Sequence, residues 1–172
     1  MKFNNRHNTD TDLQLRREFE QVIDRYDRVI RKVCYFYATD MATFDDLRQE
    51  ALVNIWRGFP KFRGEASLST WIYRVTLNSC VSTFRRSRRQ GDTVSIDRCA
   101  SLIAEDDEKA EMLREMYRMI NRLGASDKAL ILLWLDEHSY DEIAAIMGEP
   151  RNTIASRLRR AKEKLLNIKP EI

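Results

Sequence analysis

The side chains with the most evident chemistry lie near the end of the chain, where a polar and basic segment follows a short turn. It contains Arg151, Asn152, Thr153, Ser156, Arg157, Arg159, Arg160, Lys162 and Lys164. Arg can hydrogen-bond guanine through two parallel bonds, and Asn can do the same for adenine. The later cations alternate around a helix, as phosphate contacts require. The segment therefore predicts hydrogen bonding to a nucleic acid, although an ordinary helical hairpin with a solvated basic face would have the same composition.

A second group mixes aromatic and cationic side chains. Its members are Trp71, Tyr73, Arg74, Asn78, Phe84, Arg85 and Arg86. Aromatic rings can stack on unpaired bases while arginines hold the backbone phosphates. Two alternatives stay open, because Trp71 and Phe84 also suit a helical core and the run Arg85 to Arg89 also suits a solvated helix end.

A third group is acidic and amidic: Asp46, Gln49 and Glu50 share one face of a predicted helix. Such a face is as typical of plain soluble surface as it is of a docking site for a basic partner. The sequence alone does not choose between the two.

Other chemistry is poorly represented. The three cysteines, Cys34, Cys80 and Cys99, form no Cys-x-x-Cys pair, and the two histidines lie far from them in sequence. A zinc site or a disulfide framework is therefore not expected. A nuclease would need a carboxylate cluster with metal-ligand spacing, and other enzymes a Ser/His/Asp pattern or a glycine-rich phosphate loop. We predict no metal, no cofactor, no small-molecule substrate and no enzymatic activity.

Helices must position these groups, because apolar residues recur at spacings of three and four along most of the chain. The predicted helices are Leu13 to Ala38, Thr43 to Arg57, Ser67 to Arg88, Glu108 to Gly124, Ser126 to Leu135, Ser139 to Met147 and Pro150 to Leu166. Thr43–Asp46 and Ser139–Glu142 have the spacing of capping boxes. Ser67 and Ser126 are predicted N-caps. The last two helices, joined by a glycine turn, predict a helix-turn-helix.

Charge divides the chain into parts. Residues 1–90 hold 17 basic and 11 acidic side chains, residues 91–125 hold 5 and 8, and residues 126–172 hold 8 and 8. We predict an all-α protein of two small helical domains, residues 10–90 and 108–168, joined by a flexible linker over 91–107. The C-terminal domain is the helix-turn-helix. The two modules each bury a small core and need not touch each other firmly.

The sequence also favours a cytoplasmic protein. Its best apolar run, Ala129 to Leu135, is far shorter than the roughly 20 residues of a membrane-spanning helix. The N-terminus is polar and has no apolar signal-peptide core.

Three segments together resemble a bacterial RNA polymerase sigma factor. They are Phe44 to Phe62 (FDDLRQEALVNIWRGFPKF), Ser67 to Arg89 (SLSTWIYRVTLNSCVSTFRRSRR) and Ser139 to Leu165 (SYDEIAAIMGEPRNTIASRLRRAKEKL). The small size and the short stretch between the modules resemble the extracytoplasmic-function group of the sigma-70 family. The resemblance extends from about Phe19 to Leu166.

The resemblance implies a role for each group of residues. The face with Asp46, Gln49 and Glu50 resembles the surface that docks on the clamp helices of core polymerase. The loop Phe59 to Ala66, with Lys61, Phe62 and Arg63, resembles one that captures a flipped base of the minus-ten element. The residues expected to open and read that element are Trp71, Tyr73, Arg74, Asn78, Arg85 and Arg86. Those expected to read the minus-thirty-five duplex are Arg151, Asn152, Thr153, Ser156, Arg157 and Arg160.

The chain also departs from the family pattern. Many relatives carry an acidic residue where Ser82 stands, a Gly at Asn152 and a Lys at Ala155. These differences put the promoter preference in doubt. The resemblance further implies an anti-sigma partner. The main alternative is a conventional dimeric helix-turn-helix repressor or activator, which would leave the second and third groups of residues without a role.

Overall fold

The computed structural model describes residues 6–39, 42–89 and 115–168. These residues form α-helices and one short 3₁₀ turn, with no strand among them, so the all-α prediction is confirmed. The helices are α1 (Arg6–Tyr37), α2 (Phe44–Gly58), α3 (Leu68–Arg89), α4 (residues 115–121), α5 (Ala125–Leu135), α6 (Tyr140–Met147) and α7 (Arg151–Leu166); the 3₁₀ turn is Phe59–Lys61. The predicted linker 91–107, Cys99 and the start of the helix predicted at Glu108 lie outside the described residues.

The first three helices pack against one another as the N-terminal module. Each contributes an apolar stripe at helical spacing, which is what an amphipathic helix buries. Fully buried members are Ile30, Cys34 and Tyr37 of α1, Leu47, Ala51 and Ile55 of α2, and Ile72 and Cys80 of α3. The predicted core residue Phe84 is buried as well, whereas Trp71 is half-buried.

Caps fix where these helices begin. The hydroxyl of Thr43 accepts from the amide of Asp46, and the Asp46 carboxylate accepts from the amide of Thr43, as a capping box requires. Ser67 Oγ accepts from the amide of Thr70 at 3.1 Å, which confirms it as the cap of α3. Both caps satisfy backbone donors that a helix leaves unpaired at its start.

The C-terminal module is built around α5. The helix-turn-helix follows it: a capping box of Ser139 and Glu142 opens α6, Gly148 ends it in the left-handed conformation (φ 70°), and Pro150 precedes α7. Glycine adopts that conformation without steric cost. The start of α5 differs from the prediction, because its N-cap is Gly124 and not Ser126. Ser126 Oγ instead accepts a hydrogen bond from Arg85.

The two modules pack firmly against each other, contrary to the sequence-based expectation. Helix α3 contacts both α5 and α6. The hydroxyl of Tyr37 donates to the carbonyl of Ala125 at 2.8 Å, and the rings of Phe36 and Tyr117 lie 4.7 Å apart. Five consecutive residues of α5, 129–133, are buried. A helix is apolar all round when neighbours cover it on all sides, and here the N-terminal module covers the side that α6 and α7 leave open.

Candidate nucleic-acid interface

A cavity of about 650 Å³ opens between the end of α2 and the start of α3. Its lining is Pro60, Lys61, Phe62, Arg63, Glu65, Ala66, Trp71 and Arg74. The rings of Phe62 and Trp71 lie 5.2 Å apart, and three of the lining residues are cations. This loop cavity therefore combines flat apolar surface with positive charge, a combination suited to an unpaired base and its phosphate.

A close backbone approach positions Trp71 in that cavity. A Cβ atom at Gly58 would lie 2.8 Å from Cζ2 of the Trp71 indole. A larger residue at position 58 would require the indole ring to shift. The predicted loop residues Lys61, Phe62 and Arg63 are thus brought together with Trp71 and Arg74 at one place.

The remaining predicted residues of α3 point in different directions. Asn78 and Arg86 are exposed, and Arg85 is exposed with its guanidinium on Ser126 Oγ at 2.7 Å. Tyr73 is only 4% exposed. Its hydroxyl donates to Asp136 Oδ2 at 3.0 Å, and burial, together with the Asp136 charge, raises the pKa of that phenol far above its ordinary value. Tyr73 therefore remains a protonated donor and does not line the loop cavity.

The acidic face of α2, made of Asp46, Gln49 and Glu50, lies at the surface, with all three residues exposed. They are not equivalent. Hydrogen bonds from Thr43 lower the pKa of the Asp46 carboxyl, because they favour its charged form. Asp46 thus holds the start of α2 as well as contributing charge, whereas Gln49 and Glu50 have no part in that cap.

The start of α7 presents the predicted reading face, which consists of Arg151, Asn152, Thr153, Ser156 and Arg160. All five residues are exposed. Arg151 lies 3.3 Å from Asp141 and 5.7 Å from the ring centre of Tyr140, so its guanidinium already has neighbours in the free chain.

Arg157, predicted to read the same duplex, is placed otherwise. Its guanidinium donates to both carboxylate oxygens of Glu149, which lies in the turn before α7, and its side chain is only 22% exposed. This pair holds the turn of the helix-turn-helix. Arg157 therefore belongs to the support of the reading face rather than to its open surface.

Three charged residues that the sequence analysis did not single out hold the modules together. Lys32 of α1 is paired with Asp136, which follows α5. Lys128 of α5 is fully buried beside Asn121, 4.8 Å from the ring centre of Tyr37 and 4.9 Å from that of Phe84. The sequence indicates the contact between the modules only through the apolar run 129–133. A helix that is buried on one side would have polar residues within such a run.

Within the described residues, no group of three or more His, Cys, Asp or Glu side chains could hold a metal ion. In the same part of the chain, no helix is both long and apolar enough to cross a membrane. The thiols of Cys34 and Cys80 are buried and form no disulfide, and the Cys80 thiol donates to Cys34 Sγ at 3.8 Å. This hydrogen bond to Cys34, and after it burial, raises the pKa of the Cys80 thiol, because both favour its protonated form.

A helical fold, an exposed helix-turn-helix and a basic aromatic cavity are together typical of a nucleic-acid-binding protein. The Sigma-70 region 2 profile matches residues 22–90, and the Sigma-70 region 4 profile matches residues 113–165. The chain belongs to the sigma-70 family of RNA polymerase sigma factors, in its extracytoplasmic-function (ECF) group. It is a sigma factor of transcription initiation, and the family is one of non-catalytic DNA-binding regulators.

Named relatives agree with this assignment. The ECF RNA polymerase sigma-E factor of Escherichia coli (strain K12) is 28% identical over 166 residues, covering 87% of this chain and 85% of that protein. The ECF RNA polymerase sigma factor SigM of Mycobacterium tuberculosis (strain H37Rv) is 24% identical over 151 residues, covering 87% and 76%.

Two solved structures share the fold. CnrH in complex with the cytosolic domain of CnrY matches with a TM-score of 0.63 at 19% identity, over 88% of this chain and 87% of that one. The sigma factor RpoE in complex with the anti-sigma factor NepR from Bartonella quintana matches with a TM-score of 0.64 at 23% identity, over 87% and 95%.

Proposed function

We propose that this sigma factor divides promoter recognition between its two modules. The acidic face of α2 docks on the clamp helices of core polymerase. The loop cavity and the exposed side of α3 capture and melt the minus-ten element, and the reading face of α7 binds the minus-thirty-five duplex. The protein works in the cytoplasm, where the polymerase is.

The observation that carries the proposal is the loop cavity. Phe62 and Trp71 give it stacking surface, and Lys61, Arg63 and Arg74 are the cations of its lining. Taking a base out of the stack costs a few kcal/mol. A pocket that holds only an unpaired base offsets that cost and so favours the melted strand. A dimeric repressor that reads intact duplex has no use for such a pocket.

An anti-sigma factor is the expected inhibitor. RpoE of Bartonella quintana, which shares this fold, was solved with the anti-sigma factor NepR. We extend that kind of partner to this chain as part of the proposal, without assigning its binding surface.

The proposal is tested with purified protein and sigma-free bacterial core polymerase. Complex formation is measured first, followed by transcription from a promoter library. We expect a stable complex and sequence-specific start sites that reveal both promoter elements. Failure to bind core, together with tight binding to a palindromic duplex, would instead identify a conventional dimeric regulator.

One variant tests the docking face without disturbing the fold. Glu50→Arg reverses a charge on the acidic face and leaves the capping box of α2 intact, whereas Asp46→Arg would also break that cap. We expect Glu50→Arg to abolish co-purification with core while the far-ultraviolet circular dichroism stays unchanged. Glu20→Arg, at an exposed position of α1, is the matched control. Equal binding by both variants would contradict the assignment of the docking face.

A further inference from the structure

We propose that Cys34 and Cys80 form a redox modification site: a small hydroperoxide converts the two thiols into a disulfide that joins α1 to α3. The two cysteines are 46 positions apart in the chain, and the Cys80 thiol donates to Cys34 Sγ at 3.8 Å. The proposal is independent of the proposed function, because its test requires neither polymerase nor DNA.

Two packed helices hold the pair in place. Cys34 lies on α1 and Cys80 on α3, and both side chains are fully buried. One turn further along each helix, the rings of Tyr37 and Phe84 meet edge-on with their centres 5.5 Å apart. The same two helices therefore touch in two successive layers, which fixes their register and keeps the two sulfur atoms next to each other.

The separation of the sulfur atoms suits a disulfide. An S–S bond is about 2.05 Å long, so the two atoms must approach each other by about 1.8 Å. Each sulfur is bonded directly to its Cβ, and rotation about the Cα–Cβ bonds moves it by distances of that order. The backbones of α1 and α3 can therefore stay close to their present positions.

The surroundings of the pair restrict which oxidant reacts with it. The hydrogen bond to Cys34, and after it burial, raises the pKa of the Cys80 thiol, while the charge of Lys128 acts in the opposite direction. Because the thiolate is the nucleophile, a neutral buried thiol reacts slowly. The oxidant must also reach the core through small local openings of the module. Both conditions favour a small, uncharged hydroperoxide over a bulky disulfide.

One molecule of hydrogen peroxide balances the reaction. The thiolate of one cysteine attacks a peroxide oxygen and the O–O bond breaks, which gives a sulfenic acid and one water. The thiolate of the other cysteine then attacks the sulfenic sulfur. The S–O bond breaks, and the hydroxide leaves as a second water with the proton of the second thiol. A dithiol reductant reverses the disulfide by exchange, as is typical of transient disulfides in a reducing compartment.

A disulfide between α1 and α3 should stabilise the N-terminal module. It closes a long loop in the unfolded chain, since its two cysteines are 46 positions apart, and so lowers the entropy of the unfolded state. We expect the melting temperature of the oxidised protein to rise by on the order of 10 °C.

The test uses the full chain with Cys99→Ser, which leaves Cys34 and Cys80 as its only thiols. The folded protein is treated with hydrogen peroxide, free thiols are blocked with N-ethylmaleimide in denaturant, and the peptides are mapped by mass spectrometry. Thermal unfolding is measured on the same samples. We expect a linked peptide that contains both cysteines, no blocked thiol and the higher melting temperature. Dithiothreitol should restore both free thiols and the original melting temperature.

Two kinds of control accompany this measurement. Cys34→Ala and Cys80→Ala each leave one thiol, so peroxide should give a sulfenic acid that dimedone traps, with no rise in melting temperature. Glutathione disulfide is the bulky control oxidant and should leave both thiols of the folded parent free. A mixed disulfide with glutathione would overturn the restriction to a small oxidant.

The decisive results come from the parent chain, so they stand even if an alanine variant fails to fold. Two free thiols after peroxide treatment of the folded protein would overturn the proposal. Sulfinic or sulfonic acids without the linked peptide would overturn it as well, because they would show that the second sulfur does not reach the first. A linked peptide with a lower melting temperature would show that α1 and α3 do not accommodate the bond, and the site would be rejected.

Discussion

Lys128 illustrates at the scale of one residue how a cation can be buried. Its ammonium lies beside Asn121 and between two aromatic rings contributed by the other module, at 4.8 and 4.9 Å from their centres. Electron-rich ring faces attract cations and replace part of the lost water. The same side chain therefore fills space and supplies charge to the contact between the modules.

Two substitutions separate these contributions. Lys128→Ala leaves a cavity in a packed interface and should lower the free energy of unfolding by about 2–5 kcal/mol. Lys128→Met keeps most of the volume and loses the charge, so we expect a loss below about 2 kcal/mol. Denaturant titration measures both. Equal losses for the two variants would show that charge, rather than volume, is what the site requires.

Asn152 of the reading face and Arg157, which supports that face, should behave differently although they are only five residues apart in α7. Asn152 is exposed, so Asn152→Ala should change base preference in the minus-thirty-five element by about 1–3 kcal/mol without loss of stability. Arg157→Ala breaks the pair with Glu149 and should lower the melting temperature of the C-terminal module. Binding to a set of single-base promoter variants, with thermal unfolding alongside, tests both. A uniform loss on every sequence for Asn152→Ala would indicate a phosphate contact instead.

At the scale of an element, capping makes the helix-turn-helix sensitive to acid. Hydrogen bonds from the Ser139 amide and hydroxyl lower the pKa of the Glu142 carboxyl. A carboxyl whose folded pKa is depressed stabilises the fold above its unfolded pKa, about 4.3, and loses that effect as the pH falls through the folded pKa. The start of α6 is therefore held best at neutral pH.

Ser139→Ala tests this cap. At neutral pH it should reduce stability by about 0.5–2 kcal/mol, the usual effect of losing a serine N-cap. The difference from the parent protein should shrink in acid, because protonated Glu142 no longer accepts from Ser139. Denaturant unfolding at several pH values measures the effect, with Ser82→Ala at an exposed helical position as control. A difference that does not depend on pH would contradict the role of Glu142.

Helix α3 is the element that sequence reasoning described least well. Its periodicity predicts a helix with Phe84 in the core, which the structure confirms, but the prediction groups Tyr73 with Trp71 and Arg74 only because all three lie within four residues. Adjacent helical residues point about 100° apart. Tyr73 lies on the same face of the helix as Leu77, Cys80 and Phe84, which follow it at spacings of four, three and four and are all buried. This spacing places Tyr73 on the buried face of α3 and not on its exposed face.

For the whole molecule, the arrangement of the modules should depend on salt. The Lys32–Asp136 pair is partly solvated, with Lys32 43% exposed, and the screening length falls from about 10 Å at 0.1 M salt to about 3 Å at 1 M. We expect added salt to lower the efficiency of energy transfer between a dye on Val53→Cys of α2 and a dye on Leu166→Cys of α7, which are exposed positions in the two modules. The same salt titration of Asp136→Asn should be flatter, because this variant has already lost the negative charge of the pair with Lys32. Parallel curves for the two proteins would show that the salt acts elsewhere.

The amino-acid sequence by itself determined the helices, most of their caps, the helix-turn-helix and the sigma-factor resemblance. These follow from interactions between residues three or four apart, which recur as visible patterns. The acidic face and the reading face were also predictable as groups, because their residues are polar at positions opposite an apolar stripe. Their functional roles remain proposals.

Only the tertiary structure decided that the modules close on each other. Tyr73 meets Asp136 across 63 positions of the chain, and Lys32 meets it across 104. No local pattern encodes such pairs, since each partner alone has the composition of ordinary surface. The free energy of the contact comes from burying α5 on its second side, and that burial exists only once both modules are folded and docked.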